Sequence, residues 1–141
     1  MTTVGVVGAS ARAAVHSLAR AGYSAWAVDQ FADRDLTRMA ACALCPPGSY
    51  PDALPELAAQ FPPGPVLYTG SLENHPHVVT ELAARRELWG NPPDVLTQVR
   101  NPFALLPALA ACGFAVPRLI PPGEPCPCDG RWLRKPLRSA A

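Results

Sequence analysis

The sequence has no concentration of charge that would mark a surface for nucleic acid. Its 141 residues carry 12 basic and 11 acidic side chains, which leaves a net charge of +1, and no basic run is longer than two residues. Nucleic-acid binding needs a concentrated positive surface, so a DNA- or RNA-binding function is not expected. Lysine itself is nearly missing, since Lys135 is the only one in the chain. A small molecule is therefore the expected partner.

The sequence also lacks a targeting or membrane-spanning segment. No basic stretch precedes the first apolar run, and Gly5 and Gly8 interrupt that run. A signal peptide and a transmembrane helix both need a longer uninterrupted apolar stretch. We therefore expect a cytoplasmic protein with no membrane partner.

The cysteine pattern gives no disulfide framework and no metal site. Five is an odd number, and disulfides are rare in the cytoplasm. Cys42 with Cys45 and Cys126 with Cys128 leave gaps of two residues and one residue, which make a poor zinc knuckle. We expect no metal ligands, and we expect Cys112 to be a small apolar residue of a helix.

The first thirty residues have the pattern of a β-α-β unit. Residues 3–8 form an apolar run of strand type, residues 13–19 repeat apolar side chains at helical spacing, and residues 24–29 form a second strand. These periodicities distinguish strand from helix. Open α/β sheets bind ligands at the carboxyl ends of their strands, so a ligand is expected at the turn after the first strand.

That turn is the first candidate binding site, for an anion or a substrate. Gly8, Ser10 and Arg12 combine a helix N-terminus, backbone N–H groups and a hydroxyl, which suits an anionic group, and Asp29 ends the neighbouring strand. Ser10 can equally be the N-cap of a tight strand-to-helix turn. Arg12 favours a ligand, because a cation in the first turn opposes the helix dipole unless a negative group lies nearby.

Prolines divide the rest of the chain into alternating strands and helices. There are 18 prolines, and most of them separate apolar periodic segments. In order, these segments predict a short helix over 33–38, a strand within 39–45, a helix within 50–61, a strand over 65–69, a helix beginning near Pro76, a fifth strand at 87–89, and two helices that Asn91 and Asn101 cap. This alternation predicts an α/β domain with a mainly parallel sheet covered on both faces.

The loop after the fourth strand is the second candidate site. It contains Gly70, Glu73 and Asn74 and lies at the carboxyl end of a strand. Asn74 or His75 can cap the following helix, whereas Glu73 has no such structural role and can orient a substrate amine or a basic partner. His75 and His77 flank a proline on the helix and cannot face one metal ion together.

The end of the chain departs from the alternation. Residues 117–130 form a proline-rich connection, and residues 131–141 begin what reads as a new strand with alternating basic residues. Such a strand finds no neighbours in this sequence, and a strand needs them. We therefore expect one domain over 1–116, a linker over 117–130 and the truncated start of a second domain over 131–141.

Five short segments occur in an informative order. They are Gly-Ala-Ser-Ala-Arg at 8–12, Tyr-Thr-Gly-Ser-Leu-Glu-Asn at 68–74, Trp-Gly-Asn at 89–91, Ala-Cys-Gly-Phe-Ala-Val-Pro at 111–117 and Trp-Leu-Arg-Lys-Pro at 132–136. Their order resembles the N-terminal preATP-grasp domain of ATP-grasp enzymes, a family that includes biotin carboxylase and carbamoyl-phosphate synthase. The resemblance covers nearly the whole chain. It implies a Rossmann-like, three-layer preATP-grasp domain whose C-terminal segment starts an ATP-grasp domain.

The resemblance implies an ATP-dependent ligase. In such enzymes a carboxylate attacks the γ-phosphate of ATP to give an acyl phosphate, and an amine or another nucleophile then displaces phosphate. The first domain contributes to the acceptor-substrate side, while ATP and Mg²⁺ bind in later subdomains. These 141 residues are therefore expected to hold no cofactor and to be inactive alone. The implied partners are a small carboxylate substrate, the missing ATP-grasp domain and, as an open alternative, a second copy in a homodimer.

The resemblance also points to two nucleotide-binding residues. Lys135 stands in a Lys-Pro pair like that of the family's nucleotide-binding strand, where a lysine lies near the ATP phosphates; the alternative is a solvated residue on a frayed strand. The family's other ATP-contacting lysine follows an Asp, and this chain has Arg100 out of register in that region and no Asp-Lys pair. The fork of Arg100 suits phosphate oxygens, but a surface arginine at a helix end is an equal alternative.

A dinucleotide-binding Rossmann domain of an NAD(P)-dependent oxidoreductase is the main rival interpretation. Asp29 ends the second strand at the distance from the glycine turn where a ribose-binding acid stands. The glycine pattern argues against it, because Gly5 lies inside the strand and Ser10 and Ala13 replace the later glycines of the fingerprint. A non-catalytic ligand-binding module is the second rival, since a fold does not fix a function.

Overall fold

The computed structural model describes residues 2–137, and within them four strands alternate with six α-helices. The strands are β1 (Thr3–Val7), β2 (Ser24–Asp29), β3 (Ala41–Leu44) and β4 (Val66–Tyr68). The helices are α1 (Arg12–Arg20), α2 (Arg34–Met39), α3 (Leu54–Ala59), α4 (Pro76–Arg85), α5 (Pro93–Arg100) and α6 (Pro102–Ala111). Short 3-10 turns over Pro47–Ser49 and Leu72–Asn74 lie in the loops after β3 and β4.

The four strands form one parallel sheet in the order β3-β2-β1-β4. β1 pairs with β2 from Thr3 opposite Ser24, and it pairs with β4 from Gly5 opposite Val66. The chain thus extends from β1 to β2 and β3, and then crosses to the other side of β1 to add β4. This arrangement confirms the predicted α/β fold with a parallel sheet.

The predicted fifth strand is reduced to a single bridge. Leu88 pairs in parallel with Val66, through a bond from the Val66 N–H to the Glu87 carbonyl and one from the Trp89 N–H to the Val66 carbonyl, both 2.8 Å. β4 offers only three residues for pairing, and the chain turns away immediately after the bridge. The pairing predicted at 87–89 is therefore present, but it is too short to make a strand.

Helices cover both faces of the sheet, as predicted. One core lies beneath α1 and α2 and contains Val4, Val6 and Leu36; the other lies beneath α3, α4 and α5 and contains Val7 and Leu54. Because successive side chains of a strand point to opposite faces, β1 contributes Val4 and Val6 to the first core and Val7 to the second. The domain therefore has three layers, with the sheet between two layers of helices.

Arg86 and Trp26 stabilise the second core at the end of α3. The Trp26 ring lies over Gly5, where an added Cβ would come within 2.2 Å of the ring, and it stacks on Phe61 at 4.6 Å. The Arg86 guanidinium lies 4.8 Å from the centre of the Trp26 ring. It also donates hydrogen bonds of 2.7–2.8 Å to the carbonyl oxygens of Ala58, Phe61 and Pro62. One side chain therefore binds three backbone carbonyls at the end of α3 and in the loop that follows it.

The helix caps agree with the sequence at one of two asparagines. The Asn101 side chain accepts a 3.0 Å bond from the Phe103 N–H, and Pro102 begins α6, as predicted. The prediction for Asn91 is wrong by one position, since α5 begins at Pro93 and its N-cap is Pro92, which offers no side-chain acceptor. Either of two consecutive prolines can be the first residue of a helix, so the sequence does not show whether α5 begins at Pro92 or at Pro93.

The chain after α5 packs little against the rest of the domain. α6 is apolar along its length, yet none of its residues is fully buried, and residues 112–137 contain no helix or strand. The strand predicted from residue 131 is therefore not formed over the described residues 131–137, and the end of that predicted segment, residues 138–141, lies outside the described residues. The division into a domain, a linker and a second domain stays a prediction. None of the helices within residues 2–137 has the length and apolarity needed to cross a membrane.

The cysteines fall into two environments. Cys45 is buried and Cys42 is half-buried, whereas the others are exposed: Cys112, Cys126 and Cys128. Burial, with the Asp29 charge nearby, raises the pKa of Cys42 to about 11, and burial also raises the pKa of Cys45. Cys112 lies at the C-cap of α6, so the prediction that it packs within a helix is wrong.

These environments predict two rates of thiol modification. With a disulfide reagent at about pH 8, Cys112, Cys126 and Cys128 should react fast, while Cys42 and Cys45 react slowly, because the thiolate is the reactive form and burial raises the pKa of both. The slow phase should accelerate as pH rises toward the pKa of Cys42. Guanidinium chloride should merge the phases, and a single phase in the folded protein would contradict the burial of the two thiols.

A second prediction concerns stability. Arg86→Ala should lower the free energy of unfolding by about 2–4 kcal/mol, since it leaves several carbonyl acceptors without their charged donor and removes a cation–π contact. Arg85→Ala is the matched control, because Arg85 makes an exposed ion pair with Glu56 and such pairs contribute below about 1 kcal/mol. Urea denaturation measures both. Equal losses for the two variants would show that Arg86 does not have the structural role described.

Candidate functional site

The crevice between the ends of β1 and β4 is the candidate site, because the chain reverses the direction in which it adds strands at this point. Open α/β sheets bind ligands at such a switch point, outside the carboxyl ends of the strands. Gly8 follows β1 and Thr69 follows β4, and the Thr69 N–H donates to the Val7 carbonyl at 2.9 Å. The Thr69 hydroxyl donates to the Ser10 carbonyl at 2.9 Å. The two candidate loops found in the sequence are therefore neighbours in space.

Gly8 is required by this close approach. A Cβ at Gly8 would lie 2.3 Å from the Thr69 hydroxyl oxygen and 2.5 Å from its carbonyl oxygen. Both distances are far below van der Waals contact, and one of the two atoms belongs to the backbone. The glycine is thus explained by packing between the two loops.

Asp29 holds the loop after β1 in place through hydrogen bonds to backbone N–H groups. Its side chain is 1% exposed, and it accepts hydrogen bonds from the N–H groups of Ala11 (2.6 Å), Phe31 (2.7 Å) and Ala32 (2.8 Å). Both carboxylate oxygens are therefore engaged with backbone. A carboxylate held in this way stabilises the two loops that follow β1 and β2, and it has no exposed oxygen for a ribose.

The prediction that Ser10 caps α1 is wrong. α1 begins at Arg12, its N-cap is Ala11, and no side chain caps it by a hydrogen bond from the N-cap position. The Asp29 carboxylate takes the Ala11 N–H instead. Ser10 is exposed at the rim of the crevice, with its carbonyl bound by Thr69.

The negative group expected near Arg12 belongs to the protein itself. The Arg12 guanidinium lies 3.4 Å from the Asp33 carboxylate and 3.3 Å from that of Asp35. All three side chains are about half exposed, at 48%, 40% and 52%. Two carboxylates at the start of α2 thus balance a cation at the start of α1, which removes the reason to expect an anionic ligand at Arg12.

The loop after β4 is held by a hydroxyl from a third loop. Tyr50, which follows the turn after β3, donates to the Gly70 carbonyl at 3.1 Å and shares a 2.7 Å hydrogen bond with the Ser71 hydroxyl. Ser71 has φ 65° and ψ −14°, a left-handed conformation that costs a non-glycine residue roughly 1–2 kcal/mol. Tyr50 therefore fixes a strained turn at the edge of the crevice.

The structure joins two residues that the sequence placed in different sites. Arg100, at the end of α5, donates a 2.5 Å hydrogen bond to the Asn74 side-chain oxygen. Asn74 consequently does not cap α4, and that interpretation is wrong. His75, the other capping alternative, occupies the N-cap position of α4, although its side chain makes no capping hydrogen bond. Arg100 was predicted from the resemblance as a nucleotide-binding residue, and here its guanidinium lies against the loop after β4.

Glu73 lies in the same 3-10 turn as Asn74. It is half-buried and makes no hydrogen bond or ion pair with any side chain in residues 2–137. Burial raises the pKa values of Tyr50 and Tyr68, and the negative charge of Glu73 raises both further. The carboxylate therefore lies within electrostatic reach of two phenol groups.

Tyr68 is fixed from the opposite side of the crevice. Its hydroxyl donates to the Asn91 carbonyl at 3.0 Å, and its ring lies against Gly90, where an added Cβ would come within 2.7 Å. This contact gives the Trp-Gly-Asn segment at 89–91 a physical role. The sequence included Tyr68 as the first residue of the segment 68–74 but gave it no role of its own, whereas nothing in the sequence marked Tyr50.

The remaining site predictions are not brought into this crevice by any contact. Lys135 is exposed, and its side chain makes no hydrogen bond or ion pair within the described part of the chain, so its nucleotide role stays a prediction. The chain from residue 2 to 137 also contains no cluster of three or more His, Cys, Asp or Glu side chains arranged to hold a metal ion.

A doubly wound parallel sheet with a crevice at its switch point defines an α/β domain of Rossmann-like type. Comparison with solved structures finds N5-carboxyaminoimidazole ribonucleotide synthetase from Thermotoga maritima, an ATP-grasp enzyme, with a TM-score of 0.55 and 14% sequence identity. The match covers 84% of this chain and 33% of that one, so the chain spans about a third of the synthetase's length. No family model and no curated protein matches the sequence significantly.

At this identity the likeness concerns the fold. It supports the preATP-grasp fold that the order of sequence segments predicted. It does not single out biotin carboxylase or carbamoyl-phosphate synthase as relatives. Function therefore has to be argued from the crevice itself.

The buried carboxylate in this site gives a direct prediction. Asp29→Asn should lower the free energy of unfolding by about 2–3 kcal/mol, because charged acceptors bind N–H groups more strongly than neutral ones and the amide turns donors toward donors. Asp35→Asn, at an exposed ion pair, should cost below about 1 kcal/mol. Denaturation curves for the two variants measure the difference. An Asp29→Asn protein as stable as the control would mean that the carboxylate does not hold the loops.

Proposed function

We propose that this chain is the N-terminal, substrate-side domain of an ATP-dependent ligase that joins a carboxylate to an amine or a related nucleophile through an acyl phosphate. The likeness to an ATP-grasp synthetase supports the class of enzyme. The crevice at the switch point between β1 and β4 supports a ligand-binding role for this domain. The position of Glu73 supports the substrate side.

Glu73 is the observation that carries the proposal. A half-buried carboxylate is costly unless it is paired, and this one has no hydrogen-bond or ion-pair partner among the described side chains. Its charge acts on Tyr50 and Tyr68, and the next residue of the chain, Asn74, is bonded to Arg100. A ligand with a protonated or hydrogen-bearing nitrogen is the natural partner, since charge-assisted N–H···O bonds are strong. In the proposed reaction that nitrogen is the attacking amine.

The proposed chemistry assigns this domain to binding and orientation. The substrate carboxylate would attack the γ-phosphorus of ATP, with ADP leaving, to give an acyl phosphate. The neutral amine would then attack the acyl carbon, phosphate would leave, and the proton released by the nitrogen would pass to Glu73. Glu73 would hold the amine and Asn74, fixed by Arg100, would orient it. Bound ATP and Mg²⁺ would supply the phosphoryl group and its charge neutralisation, with Lys135 and Arg100 as the proposed phosphate contacts of this chain. The 141 residues alone are expected to turn over no ATP.

The oxidoreductase alternative loses its main support in the structure. Asp29 was its ribose-binding candidate, but both carboxylate oxygens accept backbone N–H groups beneath the loop. A non-catalytic module that binds an amine would use the same crevice. It differs from the proposed ligase only in what the rest of its protein does.

The proposal is tested with glycinamide, a small primary amine without a carboxylate. NMR titration of the whole chain should shift the amide signals of residues 69–74, and N-acetylglycinamide, which has no free amine, should not. Glu73→Gln should weaken binding about tenfold or more, because a hydrogen bond to a charged group is lost. Glu81→Gln, an exposed carboxylate on α4, is the matched control and should bind normally.

Two results would contradict the proposal. One is equal glycinamide affinity in the wild type and in Glu73→Gln. The other is a melting temperature that rises with NAD⁺ or NADH while glycinamide has no effect, which would return the oxidoreductase alternative to first place.

A further inference from the structure

The geometry assigns Tyr50 as a positioning residue of the crevice, whose hydroxyl ties the turn that carries Glu73 to the loop after β3. The effect on amine binding rests on the proposed function, while the tie between the loops does not. Tyr50 is 20 residues from Gly70 and 21 from Ser71 along the chain. The contact therefore crosses between loops that no local interaction connects.

The hydroxyl of Tyr50 has two partners in the turn after β4. It donates to the Gly70 carbonyl, so in the 2.7 Å contact with Ser71 it accepts the serine proton. A phenol can donate its one proton and accept another at the same time, so both bonds form together. One oxygen atom thus joins the loop after β3 to the turn after β4.

The ring of Tyr50 is held independently of its hydroxyl. It packs at the margin of the core beneath α3, α4 and α5, which leaves the hydroxyl as the part of the side chain that reaches the crevice. Removing the oxygen while keeping the ring should therefore change the turn and spare the core. This separation makes Tyr50→Phe an informative variant.

The turn that Tyr50 holds determines where Glu73 points. Ser71 is in the left-handed region with φ 65°, and Glu73 follows two residues later inside the 3-10 turn Leu72–Asn74. That turn is closed by bonds from the Asn74 N–H to the Ser71 carbonyl and from the His75 N–H to the Leu72 carbonyl, both 2.9 Å. Without the Tyr50 contact, Ser71 can leave the strained conformation, and the carboxylate loses its fixed direction.

Tyr68 provides a matched control on the other side of the same carboxylate. Its hydroxyl binds the Asn91 carbonyl and, within residues 2–137, makes no hydrogen bond to the Gly70–Ser71 turn. Both tyrosines are partly buried and both lie near Glu73. Tyr68→Phe therefore removes a comparable hydroxyl without untying the loops.

Amide hydrogen exchange on the whole chain tests the positioning role. In Tyr50→Phe the Asn74 and His75 amides should exchange about fivefold faster or more, since about one hydrogen bond's net contribution is lost from the turn, while core amides such as Val6 and Val28 keep their rates. Tyr68→Phe should leave all four unchanged. Unchanged exchange at Asn74 and His75, or equal acceleration at the core amides, would overturn the assignment.

Tyrosine ionisation gives a readout that simple destabilisation would not move. Titration of the Tyr50 ζ-carbon signal should show a pKa above the usual value; Ser71→Ala should raise the pKa further by removing a donor, and Glu73→Gln should lower it by removing a negative charge. If neither Ser71→Ala nor Glu73→Gln changes the pKa of Tyr50, the contact of the Tyr50 hydroxyl with this turn is refuted.

Glycinamide titration then separates the two proposals. Tyr50→Phe should weaken glycinamide binding about fivefold, whereas the control Glu81→Gln, at an exposed position of α4, should not. If the wild type fails to bind glycinamide, the proposed function fails, and the exchange and ionisation results still decide the role of Tyr50. If the wild type binds and Tyr50→Phe binds equally well, the positioning of Glu73 by Tyr50 is refuted while the proposed function stands.

Discussion

The buried carboxylate of Asp29 is the interaction on which the geometry of the crevice depends. It binds three backbone N–H groups from the loops after β1 and β2, and because those loops also place α1 and α2, one side chain sets the start of two helices. The loop after β1 is thereby held close enough to Thr69 that only glycine fits at position 8. The switch point of the sheet would exist without Asp29, but the shape of its crevice would not be defined.

Local patterns in the sequence predicted the fold well, and they failed where distant side chains competed with local ones. The bounds of β2, the parallel sheet and the Asn101 cap all follow from periodicity and short-range capping preferences. Ser10 and Asn74 had the right residue types for caps, but Asp29, 18 residues from Ala11, and Arg100, 26 residues from Asn74, supply other partners. No local preference contains that information.

The candidate site was predicted in outline and not in its contacts. The sequence located both loops, because glycine, small polar residues and a carboxylate followed predicted strands. It did not locate Tyr50, which lies in the loop after the edge strand β3. The role of Tyr50 depends on its contact with the turn after β4, which the sequence does not show. The tail shows the opposite case: residues 131–137 have a strand-like pattern, but a pattern forms a strand only where a neighbour supplies hydrogen bonds.

The charges around the crevice favour an amine over an anion. The features that suggested an anion site were the helix N-terminus, the Ser10 hydroxyl and the Arg12 cation, yet Asp29 takes the Ala11 N–H and Asp33 and Asp35 balance Arg12. What remains without compensation among the described side chains is the negative charge of Glu73. The carboxylate of Glu73 would repel a phosphate bound next to it, whereas it would attract a nitrogen donor. The proposed function accordingly assigns the nucleophile to Glu73, and it assigns the phosphate contact to the guanidinium of Arg100.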